Sequence, residues 1–290
     1  MGNVFAALYA MYRARQESGL CYLRWEDLDA LRVVHGAQDQ IAKSLSYLGF
    51  YFDPDPRSAG HLQQSEHLKR YESVLEQLIE RGYVYACQCS RKDIRAHTLR
   101  TSPDSEPVYA GVCREKELAF DDPSHPVALR FKAPDEPIHV HDRWAHHYVQ
   151  NVQSEVGDFV IKRKDGVFAY QFTVVIDDIY QGITEVVRGR DLLSSTPRQI
   201  ALYHALEEEA PVYAHGPLIV DDEGEKRSKR KGDETLEAML KSGLSPYEIC
   251  GQMGTVMGVN ANRRTMSLEA LMTALSDAHF SVPSLQWPPR

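Results

Sequence analysis

Three groups of side chains in this 290-residue chain have the types and spacing to carry chemistry. The first is Cys87-Gln88-Cys89, followed by Tyr109 and Cys113. Thiolates two positions apart on a turn can face one ion, and a third from a later turn leaves a tetrahedral site one ligand short. Tyr109 or a water would complete that set; the alternative is three thiols that hold no metal. The second group is the run Lys226-Arg227-Ser228-Lys229-Arg230-Lys231-Gly232, which follows Asp221-Asp222-Glu223-Gly224. Lys226 and Lys229, three apart on a loop with Ser228 between them, can close on a polyphosphate and offset charge that develops there. A solvated basic loop or a localisation-type cluster has the same composition.

The third group is acidic and polar. Arg24, Glu26, Asp27 and Asp29 stand at the end of an expected strand, with Tyr170, Asp177, Asp178 and Arg188 farther along. Ligands of open α/β sheets bind beyond the carboxyl ends of strands, where carboxylates and an Arg can hold the ammonium and carboxylate of an amino acid. The competing reading is that Glu26, Asp27 and Asp29 cap the next helix. The 12 His show no metal-ligand spacing. His139, His141, His146 and His147 cluster, and are expected on an exposed polar edge.

These residues need a scaffold, and the apolar pattern supplies one. Val4, Phe5, Leu8, Met11 and Tyr12 form a helical stripe that starts by the third residue, with no side-chain cap before Asn3. The run from Gly19 to Trp25 reads as a buried strand. Helical spacing returns from Gly36 to Leu48 and from Leu68 to Ile79, so the alternation points to a parallel α/β sheet. Residues 84–157 are Pro-rich, with short alternating strands such as Val127, Leu129 and Phe131, and are expected to form an inserted subdomain. A second α/β stretch resumes at Asp158 to Ile161 and runs through Val174 to Ile176 and Thr184 to Val187. Thr196-Pro197-Arg198-Gln199 and Ser245-Pro246-Tyr247-Glu248 carry the signature of capped helix starts. An α/β body is thus expected over residues 1–240, and two or three short helices with a Pro-rich tail over 241–290.

Composition narrows the class. With 33 Lys+Arg against 41 Asp+Glu the formal charge is −8, at 43% hydrophobic and 26% charged residues. That is the balance of a globular protein, and it argues against general coating of nucleic acid, which needs excess cations. No run approaches the roughly 18 apolar residues of a membrane span. Five Cys without a secretory leader suggest a reducing, cytoplasmic setting.

The ordered segments together resemble the glutamyl-tRNA synthetase group of class I aminoacyl-tRNA synthetases. Arg24-Trp25-Glu26-Asp27-Leu28-Asp29 is similar to that group's R-x-E-D-x-D strand end. The segment from Phe168 to Asp178 is similar to F-A-Y-N-x-A-V-V-V-D-D, Glu185 to Leu192 to E-x-V-R-G-x-D-L, and Lys226 to Arg230 to the K-M-S-K-S loop. Within the group, the chain most resembles the glutamyl-Q tRNA(Asp) synthetases, which keep the catalytic domain and lack the anticodon-binding one. The 60 residues after Arg230 are expected to be too few for such a domain, and Cys87-x-Cys89…Tyr109-x-x-x-Cys113 follows their zinc pattern.

The resemblance implies a Rossmann-type parallel sheet with an inserted zinc-bearing subdomain and a short helical C-terminal region. It implies ATP-dependent activation of glutamate, with Mg2+, and transfer to the queuosine base in the anticodon loop of tRNA(Asp). The alternatives are a fragment of a true glutamyl-tRNA synthetase or a non-catalytic tRNA- or metal-binding module. Glu26, Tyr170 and Arg188 are assigned to glutamate, Lys229 and Lys226 to catalysis, and Lys229 with Gly2 and Asn3 to ATP. Cys87, Cys89, Tyr109 and Cys113 are assigned to structural Zn2+. A monomer without membrane association is expected. Gln171 stands where the group has Asn, and Arg227 replaces an apolar residue. Met1-Gly2-Asn3 coincides with the last three positions of the group's H-x-G-N. Its His and first strand are therefore expected upstream, or the ATP site is impaired.

Overall fold

The computed structural model describes residues 1–29, 33–55, 57, 62–98, 107–120, 124–224, 236–262 and 264–287. Helix α1 (Gly2–Gln16) has no side-chain cap; the amides of Val4 and Phe5 donate to the carbonyl of Met1 instead. Strand β1 (Arg24–Trp25) pairs in parallel with β2 (Leu62–Gln63), across α2 (Ala37–Tyr47). A 3-10 turn leads into α3 (Leu68–Glu80), whose Tyr71, Leu75 and Leu78 form the expected buried stripe. β3 (Val84–Cys87), α4 (Arg91–Ala96) and β4 (Ala128–Phe131) follow. Next come β5 (Pro137–Asp142), β6 (His146–Asn151), α5 (Val152–Glu155) and β7 (Phe159–Lys162).

Helix α6 (Tyr170–Gln181) then leads to β8 (Glu185–Gly189), α7 (Thr196–Leu206), β9 (Val212–Gly216) and β10 (Leu218–Val220). The end of the chain holds α8 (Leu236–Lys241), α9 (Pro246–Val256), α10 (Leu268–Ala274) and β11 (Ser284–Gln286).

The central sheet has the order β6-β5-β9-β8, with β8 and β9 parallel from Glu185 opposite Val212 to Gly189 opposite Gly216. β5 joins β9 in parallel at Asp142 opposite Tyr213, and β5 and β6 form an antiparallel hairpin. β3-β4-β7 form a separate antiparallel sheet. The fold is therefore α/β with parallel strands at its centre, as the alternation of elements required.

Several local expectations differ from the structure. The strand expected from Gly19 to Trp25 is confined to Arg24–Trp25, and Leu20 is 63% exposed. Its earlier part is paired by a loop instead: the Cys21 amide donates to the Asp53 carboxylate and the Asp53 amide to the Cys21 carbonyl. β4 is buried at every position and does not alternate. It lies between two apolar clusters, with Leu129 and Phe131 in one and the Arg130 guanidinium over the Tyr109 ring of the other. Val174 to Ile176 belong to α6. The tail is not merely Pro-rich coil, because β11 pairs in parallel with β10 and buries Trp287 completely. Ser245 and Glu248 do form the capping box expected of α9.

Two clusters make up most of the core. One contains α3, β3, β4, β5, β7, α6 and α7, so residues of the 84–157 segment share a core with the helices after it. The other unites α1 with α9, α10 and the chain end around Trp144. Phe280 is its keystone, 4.4 Å from Trp144, 4.6 Å from Tyr12 and 5.4 Å from Tyr9 between ring centroids. Gly216 lets α1 come close, since a Cβ there would sit 2.4 Å from the Tyr9 ring. No helix among the described residues is long and apolar enough to cross a membrane. Phe280→Ala should cost about 3–5 kcal/mol by removing a fully buried ring from this cluster. Urea unfolding checks it: the midpoint falls while the slope with denaturant is unchanged.

Candidate functional site

Arg188 lies on β8 opposite His215 of the neighbouring β9, and both side chains are buried. A buried guanidinium needs every available acceptor. Arg188 Nε donates to His215 Nε2 at 3.0 Å, and Nη2 donates to Thr196 Oγ1 and Gln199 Oε1, each at 2.8 Å. His215 Nδ1 in turn lies 2.6 Å from Asp142 Oδ2 at the end of β5. Since Nε2 accepts from an arginine, the imidazole is neutral with its proton on Nδ1. Its pKa agrees: burial lowers it, and the positive charge of Arg188 lowers it further against the pull of Asp142. Burial pushes the Asp142 carboxyl up, but bonds from His215 and from the Ala145 amide outweigh it and hold the carboxyl low.

Thr196 and Gln199 were expected to cap α7, and neither does. Thr196 is already helical, the preceding Ser195 has no capping bond, and both polar side chains turn inward to Arg188. Gln171 joins them, accepting from Gln199 Nε2 and donating to Ser195 Oγ, both at 2.9 Å. Its added methylene therefore serves this scaffold.

A cleft of about 600 Å³ opens beside the carboxyl end of β1, lined by Glu26, Asp27, Asp29, Gln64, Phe168 and Tyr170 among others. Glu26 also borders a second cleft of about 530 Å³ between β1 and β8. Glu26 is 42% exposed at the cleft mouth, and partial desolvation by the cleft walls raises its carboxyl despite the Arg24 guanidinium 3.9 Å away, with Asp178 and Asp177 adding to the rise. Burial and the charge of Glu26 push the Tyr170 phenol up to about 12, while Arg188 opposes them. Glu26, Tyr170 and Arg188 thus share one electrostatic neighbourhood, although Arg188 lines neither cleft.

The other members of the acidic group are held in hydrogen bonds and ion pairs. Asp178 accepts from Arg24 at 2.6 Å, and the fully buried Asp177 accepts from Tyr71 and from Gln64. Asp27 neither enters the Arg188 network nor caps a following helix; it accepts from the Ser65 amide and hydroxyl and from Gln63. Asp29 pairs with Arg163.

The thiols of Cys87, Cys89 and Cys113 lie within 4.8 Å of one another. Tyr109 completes the group: its hydroxyl lies 3.4 Å from Cys87 Sγ and 3.7 Å from Cys89 Sγ, and Cys89 Sγ lies 3.5 Å from Cys113 Sγ. Ligands at about 2.3 Å for sulfur and about 2.0 Å for oxygen around a tetrahedral ion stand apart by distances of this size. The donor set therefore fits a metal. Burial works against the Cys113 thiolate, yet hydrogen bonds from Tyr109 and the Gln88 backbone bring its pKa down to about 7. Burial raises the Cys89 thiol to about 11. Gly157, at φ +79°, presses on this loop so closely that a Cβ would lie 2.4 Å from the Tyr109 carbonyl oxygen.

Comparison with known proteins gives the family of the chain. Residues 1–271 match the family of tRNA synthetases class I (E and Q), catalytic domain. A glutamyl-Q tRNA(Asp) synthetase of Geobacter sulfurreducens is 42% identical over 239 residues, covering 82% of this chain and 74% of that one. One from a Synechococcus species is 37% identical over 290 residues, covering 100% and 93%. The chain belongs to the glutamyl-Q tRNA(Asp) synthetase family. It is thus a ligase of the aminoacyl-tRNA synthetase type. Among solved structures, a glutamate tRNA ligase from Elizabethkingia meningosepticum, in complex with its amino acid, superposes with a TM-score of 0.81 at 24% identity. That match covers 99% of this chain and 64% of the other, so the chain spans just under two thirds of its length.

Of the residues that the family resemblance picks out, Glu26 and Tyr170 face one cleft, and Arg188 stands behind it in the buried network. Gly2 and Asn3 form the exposed first turn of α1. Lys226 and Lys229, with Arg227, lie outside the described residues. The sequence does not pick out His215 or Asp142, whose only signal is a polar residue in an apolar strand, and it marks Thr196 and Gln199 only as a helix start.

The buried neutral His215 gives a pH dependence of known sign. The unfolded chain binds a proton near the usual His value of about 6.5, and the folded chain resists it, so stability is full above that pH and falls below it. His215→Gln should flatten this part of the curve of urea midpoint against pH relative to the parent between about pH 7.5 and 5.5. A second substitution, Gly157→Ala, should displace Tyr109 and lower the metal held per chain, measured by elemental analysis after dialysis.

Proposed function

We propose that this chain activates glutamate with ATP, forming glutamyl-adenylate, and transfers it to the queuosine base in the anticodon loop of tRNA(Asp). The observation that carries the reading is the convergence of Glu26, Tyr170 and the buried Arg188, in a chain whose relatives bear that name. Glu26 would accept the substrate ammonium, whose arrival favours the charged carboxylate against the desolvation that the cleft imposes. Tyr170, with its high pKa, stays protonated at neutral pH and can donate a hydrogen bond. Arg188 would meet a substrate carboxylate with Nη1 rather than with a full fork, because Nε and Nη2 are committed to His215, Thr196 and Gln199.

A carboxylate oxygen of glutamate then attacks the α-phosphorus, the bond from that phosphorus to the bridging oxygen breaks, and pyrophosphate leaves with the electron pair. Lys229 and Lys226 would neutralise the departing charge, with Gly2 and Asn3 near the nucleotide. Mg2+ accompanying ATP would shield the phosphates. Residues 1–240 would form the catalytic domain, with the 84–157 insertion carrying a structural Zn2+ on Cys87, Cys89, Tyr109 and Cys113. The protein would act as a cytoplasmic monomer.

Glutamate-dependent ATP–pyrophosphate exchange without tRNA, followed by transfer of labelled glutamate to tRNA(Asp) with and without queuosine, tests the reading. Lys229→Ala should lower exchange by roughly 100-fold or more. Charging of the 3′ end of tRNA(Glu) instead would select a true glutamyl-tRNA synthetase, and binding of neither glutamate nor ATP a non-catalytic module. Elemental analysis should find zinc on the thiol cluster, and Cys113→Ser should lose it. Zinc unchanged in that variant would remove the assignment.

A further inference from the structure

The hairpin of β5 and β6 places three imidazoles on one exposed face. His141 is directly opposite His147 in the antiparallel ladder, and His139 lies two residues before His141 on the same side of β5. Side chains two apart on a strand share a face, and directly opposed residues are the nearest cross-strand neighbours. His139 Nδ1 lies 3.2 Å from His147 Nε2. The His147 ring stacks on both others, with centroids 5.3 Å from His139 and 5.0 Å from His141. His146, at φ +64°, stands at the end of the ladder opposite Asp142 and is not part of this set.

The His139–His147 spacing is that of two ligands in a coordination shell. Two nitrogens about 2.0–2.1 Å from a tetrahedral ion stand roughly 3.3–3.4 Å apart, close to the separation seen between His139 and His147. A third imidazole leaves one position open to water, the arrangement of a three-histidine zinc site. As they stand the three imidazoles do not all lie within ligand range; the exposed His141 side chain would have to rotate to bring a nitrogen to the pair. Such a ligand set suits borderline divalent ions, Zn2+, Ni2+ or Cu2+, rather than Mg2+ or Ca2+.

We propose that His139, His141 and His147 form a second metal site, for a borderline divalent transition ion, independent of the thiol cluster. Bound there, the ion clips the edge strand β6 to β5, whose last residue, Asp142, holds His215 behind Arg188. The site does not depend on the proposed reaction, since none of its residues enters that chemistry.

The test is zinc counting on tag-free protein loaded with Zn2+ and dialysed. The parent should hold two equivalents, and blocking the thiols with a mercurial should release one and leave one. His139→Ala/His147→Ala should hold a single equivalent, all of it released by the mercurial, with unchanged far-UV circular dichroism. If the double variant misfolds, the single His141→Gln change should likewise lose the mercurial-resistant equivalent on dialysis. A parent that keeps no zinc after thiol blockade, or histidine variants that keep as much as the parent, would overturn the site.

Discussion

One buried guanidinium organises the centre of this molecule. Arg188 has left water, and an uncompensated charge in such a place is costly, so the surrounding chain is arranged to satisfy it. Strand order does the first part: β9 runs between β5 and β8, which sets Asp142, His215 and Arg188 side by side across three strands. Helix α7 does the second, turning Thr196 and Gln199 inward from its first turn. The negative charge of Asp142 reaches Arg188 through a neutral imidazole, so the arginine is held in place while Nη1 takes no part in these bonds. Truncating any member leaves a buried polar group without its partner, at a cost of about 1–3 kcal/mol or more.

A second buried network ties the candidate cleft to this centre. Arg24 of β1 reaches the carboxylates of α6, while Asp177 gathers Tyr71 from α3 and Gln64 from the turn before it. These contacts fix the end of β1, and with it the place where Glu26 enters the cleft. Asp177 and Asp178 are thus part of the frame, and the cleft itself is lined by Glu26 and Tyr170. The same division recurs at the thiols, where β3 delivers Cys87 and the contact of Gly157 with Tyr109 closes the fourth side.

Legibility from sequence followed the range of the interaction. The helix α3 is readable because its buried stripe repeats locally, and α1 because its apolar residues recur at helical spacing. The Ser245–Glu248 capping box was readable because both partners are three residues apart. Thr196 and Gln199 carry the same local signature of a cap, yet Arg188, on the strand before the helix, claims both side chains once burial leaves it without water. β11 was missed because its pairing to β10 is decided some 60 residues away, where Val220 accepts from the amide of Trp287. The histidines of the β5–β6 hairpin showed no ligand spacing in sequence, because their geometry arises across a ladder and not along one strand.

Residue types and order alone determined the α/β class, the family, the thiol set with Tyr109 and the candidacy of Glu26, Tyr170 and Arg188. These follow from short motifs whose parts are neighbours in the chain. Only the tertiary structure decided which polar residues face the cleft and which brace it. That choice depends on burial, and burial is a property of packed elements. A polar side chain enclosed by the core must take whatever partner the fold brings within reach, and for Arg188 that partner is a histidine backed by an aspartate 46 positions earlier in the chain.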